Sequence, residues 1–123
     1  VMKYLCLAYE EESKLSALSR EQWLDLRAET LAYVETLQQS DQLIMTKPLQ
    51  SARTATTVRV RNGKMSATDG PFAETKEQIG GFFLIEARDF NEALNIASRW
   101  PSARIGSIEV RPIQEGLPTS NRY

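Results

Sequence analysis

Asp69 is the residue of this 123-residue chain best suited to exchange a proton with a ligand. It stands in the run Thr68-Asp69-Gly70-Pro71-Phe72, where a carboxylate, a glycine, a proline and an aromatic follow one another. If the strand before it persists one residue past Thr68, alternation puts Asp69 in line with Ala67 and Met65 on an inward face. A carboxylate held over apolar surface loses hydration, so its pKa rises and it becomes a candidate general acid or base near neutral pH. The plainer use of an aspartate before Gly-Pro is a turn cap, its side chain accepting from the amides of Phe72 or its neighbours. The turn cap is the commoner role, and the residues themselves leave both readings open.

The neighbours of Asp69 supply the rest of a candidate binding site. Pro71 holds Gly70 extended, and a glycine there allows a backbone geometry that a side chain would forbid. Phe72 is a candidate wall of a pocket, although aromatics after a turn more often plug a core. Lys76 is a candidate cation for an anionic ligand held against Asp69, although charged clusters like Glu74, Lys76 and Glu77 are usually solvated. Tyr9 offers a hydroxyl on an otherwise apolar strand. Arg111 shares a strand face with Glu109, and the two either pair with each other or reach a cleft. Thr75 with Gln78 has capping-box spacing and predicts one helical turn. Gly80-Gly81 leads into a strand rather than a helix, so it is no phosphate loop, and it suits close approach of two backbones.

Several chemistries are poorly served by this composition. There is no histidine and one cysteine, Cys6, so no intramolecular disulfide, cysteine-based metal cluster or tightly bound transition metal is expected, and no cofactor is indicated. Fifteen basic and sixteen acidic residues leave a net charge of -1, which supplies no global field for phosphates or an anionic membrane. The basic set Arg53, Arg59, Arg61 and Lys64 has no interleaved aromatics, so direct nucleic-acid binding is not suggested. The longest apolar runs fall far short of the roughly 18 to 20 residues that cross a bilayer, and no secretory signal opens the chain. A soluble, cytoplasmic protein is therefore expected. Met2 reads as the natural start, with Val1 an addition.

The elements that must position these residues are legible from periodicity. Met2 to Tyr9 is apolar on both parities, Tyr4, Cys6 and Ala8 against Leu5, Leu7 and Tyr9, which predicts a strand covered on both faces. Ser19 and Gln22 form a capping box, and Trp23, Leu26, Thr30, Val34 and Leu37 predict a helical stripe to about Gln39. Leu43 to Met45 is a short strand ended by Pro48. Thr56 to Thr68 is a hairpin, because Asn62-Gly63 supplies the two positive-φ residues of a type I′ turn. That turn pairs Val60 with Met65 and Val58 with Ala67 on a face expected to point inward, while Arg59, Arg61 and Lys64 point outward. Gly80 to Ala87 is a second strand covered twice. Asp89 with Glu92 opens a helix striped by Phe90, Ala93, Leu94, Ala97 and Trp100 and ended by Pro101. Ile108 to Pro112 is the last strand, and residues 114–123 form a polar tail beyond a single domain of residues 1–113.

Two βαβ halves around a hairpin predict an α+β ferredoxin-like βαββαβ fold. Two helices cover only one face of such a sheet, yet two strands are apolar on both. A second copy packed sheet against sheet, a homodimer, is the expected cover.

The stretch Thr68-Asp69-Gly70-Pro71-Phe72-Ala73-Glu74-Thr75-Lys76-Glu77-Gln78-Ile79-Gly80-Gly81 resembles the signature of DGPF-domain proteins in the YCII-related family. Similarity extends to Met2-Lys3-Tyr4, Tyr9-Glu10, Ala55 to Arg59 and Glu109 to Ile113, nearly the whole chain. The resemblance implies a dimeric α+β barrel with a cleft near the dimer contact. It also implies small enzymes whose activity is unsettled, and links of some members to extracytoplasmic-function sigma factors. Two functions are thereby expected: binding of, or action on, a small organic molecule near the dimer interface, or a non-enzymatic module with a transcription-related protein partner. A histidine and an aspartate form the catalytic pair suggested for related proteins. Asp69 matches the acid, and nothing here matches the imidazole.

Overall fold

The structure, a computed structural model, describes residues 1–116. Its first half is built from strand β1 (Met2–Glu10), helices α1 (Glu12–Ser16) and α2 (Arg20–Gln39), and strand β2 (Leu43–Pro48). The hairpin strands β3 (Thr56–Arg61) and β4 (Lys64–Asp69) follow, then β5 (Gln78–Ala87), α3 (Phe90–Ser98) and β6 (Ser107–Pro112). Short 3-10 turns occupy Ala52–Thr54 and Pro101–Arg104. Of the polar tail, residues 117–123 lie outside the described part.

Local chemistry starts α2 and α3 as their residues dictate. The Ser19 hydroxyl accepts from the Gln22 amide at 3.1 Å, and the Gln22 side chain accepts from the Ser19 amide at 2.9 Å. Asp89 caps α3 by accepting from the Glu92 amide at 2.8 Å. The short helix α1, directly after β1, carries no periodic signal, and the spacing of the sequence does not predict it.

The strand order β2-β5-β1-β6, antiparallel throughout, is the ferredoxin-like arrangement of two interleaved βαβ halves. Tyr4, Cys6, Phe83 and Ile85 lie on the helix-covered face and are fully buried. Phe83 stacks on Trp100 with centroids 3.9 Å apart, and Tyr33 meets the same indole edge-on while its hydroxyl donates to the Ile96 carbonyl. Two helical stripes need correction. On α2 Leu37 is buried and Leu26, Thr30 and Val34 are half-buried, as their spacing predicts, but Trp23 at the start of the stripe is 48% exposed. On α3 the buried residues are Ala93, Ile96 and Ala97, while Phe90 and Leu94 stay exposed.

The opposite sheet face carries Leu5, Leu7, Phe82 and Leu84, which are only partly covered. No described helix packs on it. At the sheet end, β5 bulges opposite Ala8 and Tyr9, with Gly80 the extra, unpaired residue. A methyl group on Gly81 would sit 3.1 Å from the Lys47 carbonyl, the close approach that a glycine there permits.

The hairpin has the expected register, Val60 with Met65 and Val58 with Ala67, and the expected positive φ at Asn62 and Gly63. Its faces are not as expected. Val58, Val60 and Met65 are 59%, 59% and 67% exposed, because β3 and β4 pair only with each other and no second layer lies over them. The cationic side is the better covered one, with the Arg59 guanidinium 5.7 Å from the centroid of the Phe72 ring.

Candidate functional site

The chain from Gly70 to Glu77 connects the hairpin to β5 without regular structure, and its shape is held by specific bonds. Gly70 has φ near 113°, a conformation side chains rarely adopt, and its amide donates to the Ala55 carbonyl at 2.7 Å. Its own carbonyl accepts from the Thr57 hydroxyl at 3.0 Å. The helical turn expected at Thr75 does not form. Gln78 is the first residue of β5, and its amide nitrogen turns back to donate to the carbonyls of Ala73 and Thr75 at 2.8 and 3.0 Å. The Thr75 hydroxyl donates to the Glu77 carbonyl at 2.6 Å instead of capping a helix.

This loop separates two adjoining depressions of about 490 and 540 Å³. Ala52, Pro71, Thr75 and Gln78 line both. The first is polar, with Glu11, Glu12, Arg53, Asp69, Glu74 and Lys76 around it. The second has no acidic or basic side chain in its lining and is walled by Tyr9, Leu49, Pro71, Phe72 and Ile79.

Asp69 ends β4 opposite Thr56 and is exposed. Its strand parity is the predicted one, but the face it shares with Val58 and Met65 is open, so the desolvation expected of it is absent in the single chain. Nor does it cap the turn: among the described residues no group hydrogen-bonds or ion-pairs its carboxylate. Phe72 is 81% exposed, a wall and not a core plug. Lys76 lies 3.6 Å from Glu11, which ties it to the rim. Arg111 lines neither depression. It pairs with Glu109, whose other oxygen accepts from the Tyr9 hydroxyl at 3.4 Å, so Arg111 connects to the second depression only through Glu109.

Sequence reasoning left out the acidic rim that follows β1. Glu12 accepts from the Ala52 amide at 2.8 Å and the Ser51 hydroxyl at 3.0 Å, fastening the 3-10 turn to the start of α1, and these bonds hold its carboxyl below the usual range. The Ser13 hydroxyl does the same for Glu11, with Lys76 and Lys14 adding to it. Glu10 moves the other way, pushed up first by burial and then by the charge of Glu12. Burial pushes the Cys6 thiol up to about 12, so it stays protonated inside the core. Among the described residues no three His, Cys, Asp or Glu side chains are grouped to hold a metal, and no helix is long and apolar enough to cross a membrane.

A four-stranded antiparallel sheet under two helices, with a hairpin and a lobed cleft at one end, defines a ferredoxin-like α+β domain. Among solved structures it resembles 5-chloro-2-hydroxyhydroquinone dehydrochlorinase (TftG) from Burkholderia phenoliruptrix, in complex with 2,5-dihydroxybenzoquinone, at a TM-score of 0.57 and 19% identity over 94% of this chain and 96% of that one. The YCII-related domain matches residues 2–116. An uncharacterised protein of Rhizobium meliloti (strain 1021) is 40% identical over 118 residues, 91% of this chain and 92% of its own. The chain belongs to the YCII-related family.

Proposed function

We propose that this protein works as a homodimer, an α+β barrel of two facing sheets, and holds a small organic molecule in the lobed cleft beside the Asp69–Phe72 turn. Asp69 anchors that molecule or accepts a proton from it. The observation that carries the reading is a carboxylate facing a cleft without any described protein partner, beside an aromatic ring left in solvent. A solvated carboxylate next to an exposed ring, both at the cleft, suits recognition of a ligand with one polar and one apolar end. The bound quinone of the similar fold is in keeping with a small planar occupant.

The dimer is supported by the sheet face bearing Leu5, Leu7, Phe82 and Leu84. A stable interface takes roughly 800 Å² from each partner, and a four-stranded sheet face is of that order. Tyr9, Glu109 and Arg111 stand on this face, at the point where a second sheet would close over the apolar lobe. A role as a module for a transcription-related partner draws on the family context alone.

The test is thermal unfolding of wild type and Asp69→Asn across a panel of phenols, quinones, ring-bearing acids and ring-bearing amines, including 2,5-dihydroxybenzoquinone. Compounds that raise the melting temperature of wild type are expected to lose most of that effect in the variant. Equal shifts for every hit would take Asp69 out of the site, and a panel without a hit would count against the cleft as a binding site.

A further inference from the structure

We infer that the second copy lies on the open sheet face with its two-fold axis along the strands, so that Lys47 of the partner subunit meets Glu109 beside Tyr9 and gives the apolar lobe a charge that one chain does not supply. The inference rests on the dimer reading above and adds to it the orientation of the pair and a partner residue at the cleft.

The strand registers arrange the open face in rows. One row runs Lys47, Phe82, Leu7, Glu109 across β2, β5, β1 and β6, and the next runs Met45, Leu84, Leu5, Arg111. Beyond them Lys3 stands opposite Glu86. Both full rows are apolar in the middle, and the first ends in a cation at one sheet edge and an anion at the other. Lys47 and Glu109 are three strand spacings apart, about 14 Å, with Phe82 and Leu7 between them, so they do not pair within one chain. Lys47 is exposed, and among the described residues its ammonium has no hydrogen bond or ion pair.

Aligned sheets pack about 10 Å apart, a gap that side chains from both faces fill. A two-fold axis along the strands sets β2 of one copy over β6 of the other, and β5 over β1. Leu84 then meets Leu5 and Phe82 meets Leu7, so the apolar middle closes on itself. Lys47 faces Glu109 at both edges, Met45 lies on the aliphatic stem of Arg111, and Lys3 and Glu86 alternate in sign with their counterparts from the second copy. Turning the second copy end over end sets β2 over β2 instead, and Lys47 finds no acid there because that strand carries none. Charge therefore selects the first orientation.

Tyr9 connects this contact to the cleft. Glu109 accepts from the Tyr9 hydroxyl at 3.4 Å and pairs with Arg111 through its other oxygen. Tyr9 also walls the apolar lobe, whose lining in the single chain has no ionic side chain. The partner's Lys47, seated on Glu109, brings an ammonium to the rim of that lobe beside the phenol. The lobe is complete only when the second copy is in place.

Charge reversal at the two edges tests this on the intact chain, with self-association followed by sedimentation. Lys47→Glu and Glu109→Lys should each weaken the dimer about tenfold or more, because each sets like charges together at both edges. An equimolar mixture of the two variants should associate as tightly as wild type, since every edge of the mixed pair then sets an acid against a base. Lys3→Glu mixed with Glu86→Lys reads the same orientation away from the cleft and should recover in the same way. Mixtures no tighter than their components would overturn the orientation and leave the dimer reading standing, whereas a wild type that stays monomeric would overturn both. Adding unlabelled Lys47→Glu protein to isotope-labelled Glu109→Lys protein should move the amide NMR signals of Tyr9 and Ser107. Association that leaves those signals in place would take Lys47 out of the cleft.

Discussion

Gly106 joins the Pro101–Arg104 turn to β6, and replacing it by alanine probes how Tyr9 is held. The added methyl carbon would stand 2.3 Å from the Tyr9 carbonyl oxygen and 3.4 Å from that of Ser102. Carbon and carbonyl oxygen do not normally approach closer than about 3.3 Å, so β1 and the turn must separate by roughly 1 Å. Both colliding atoms are main chain, and neither can be moved by a rotamer change. Forced overpacking of this kind costs about 1–3 kcal/mol. An opposing effect has to be subtracted: at a backbone conformation open to any residue, glycine to alanine stabilises by about 0.4–1 kcal/mol through the unfolded chain. Gly106 lacks a positive φ, so that gain applies. The net expectation is a loss of about 1–2 kcal/mol, a fall in melting temperature of roughly 4–8 °C for a domain of this size. Thermal and urea unfolding followed by circular dichroism measure it. A Gly106→Ala protein as stable as wild type, or more so, would refute the close packing of this turn against the end of β1, and with it the placement of Tyr9 over the apolar lobe.

Leu84→Lys puts a charge on the open sheet face. A fully buried leucine is worth about 1.5–3 kcal/mol; partial cover in the single chain halves this and two-fold symmetry doubles it, so the dimer dissociation constant should rise roughly 10- to 100-fold. Sedimentation at low micromolar concentration should show wild type as a dimer and the variant as a monomer of unchanged circular dichroism, and a monomeric wild type would defeat the barrel. The Glu12 carboxyl is held low by the Ala52 amide and Ser51 hydroxyl, so its stabilisation is present above the ordinary carboxylate pKa and disappears as the pH falls through its lower folded value. Glu12→Ala should therefore melt below wild type at neutral pH and converge with it in acid. A gap between the two melting curves that is the same at every pH would show that the carboxylate charge is not what holds the turn.

Much of this molecule follows from local pattern. The capping box at Ser19 and the cap at Asp89 satisfy helix amides within three residues, and the Asn62-Gly63 turn sets hairpin register by φ alone, so no distant residue is needed to specify them. The two-residue period of a strand puts Tyr4 with Cys6, and Phe83 with Ile85, on one face of β1 and β5 wherever the sheet ends up, although both parities are apolar. In the Asp69–Phe72 turn, Gly70 holds a positive φ that side chains rarely adopt and Pro71 fixes the next φ, so the backbone shape is written in contiguous residues.

What alternation does not encode is which layer lies over a face. Val58, Val60 and Met65 share a side whether or not anything covers them, and only the finding that β3 and β4 pair with no third strand leaves that side, and Asp69 with it, in solvent. Gln78 was readable as a capping residue, yet its side chain had a choice between a helix and the loop before it, and β5 pairing with β1 decided for the loop. Glu11, Glu12 and Arg53 are some forty residues apart along the chain and join Asp69 only because the end of β1 and the turn at Ala52 meet. The identity and shape of the Asp69 turn thus reside in contiguous residues, through backbone sterics. The burial of its carboxylate and the balance of charge around it belong to tertiary structure, because desolvation and Coulomb forces depend on distances in space and not on separation along the chain.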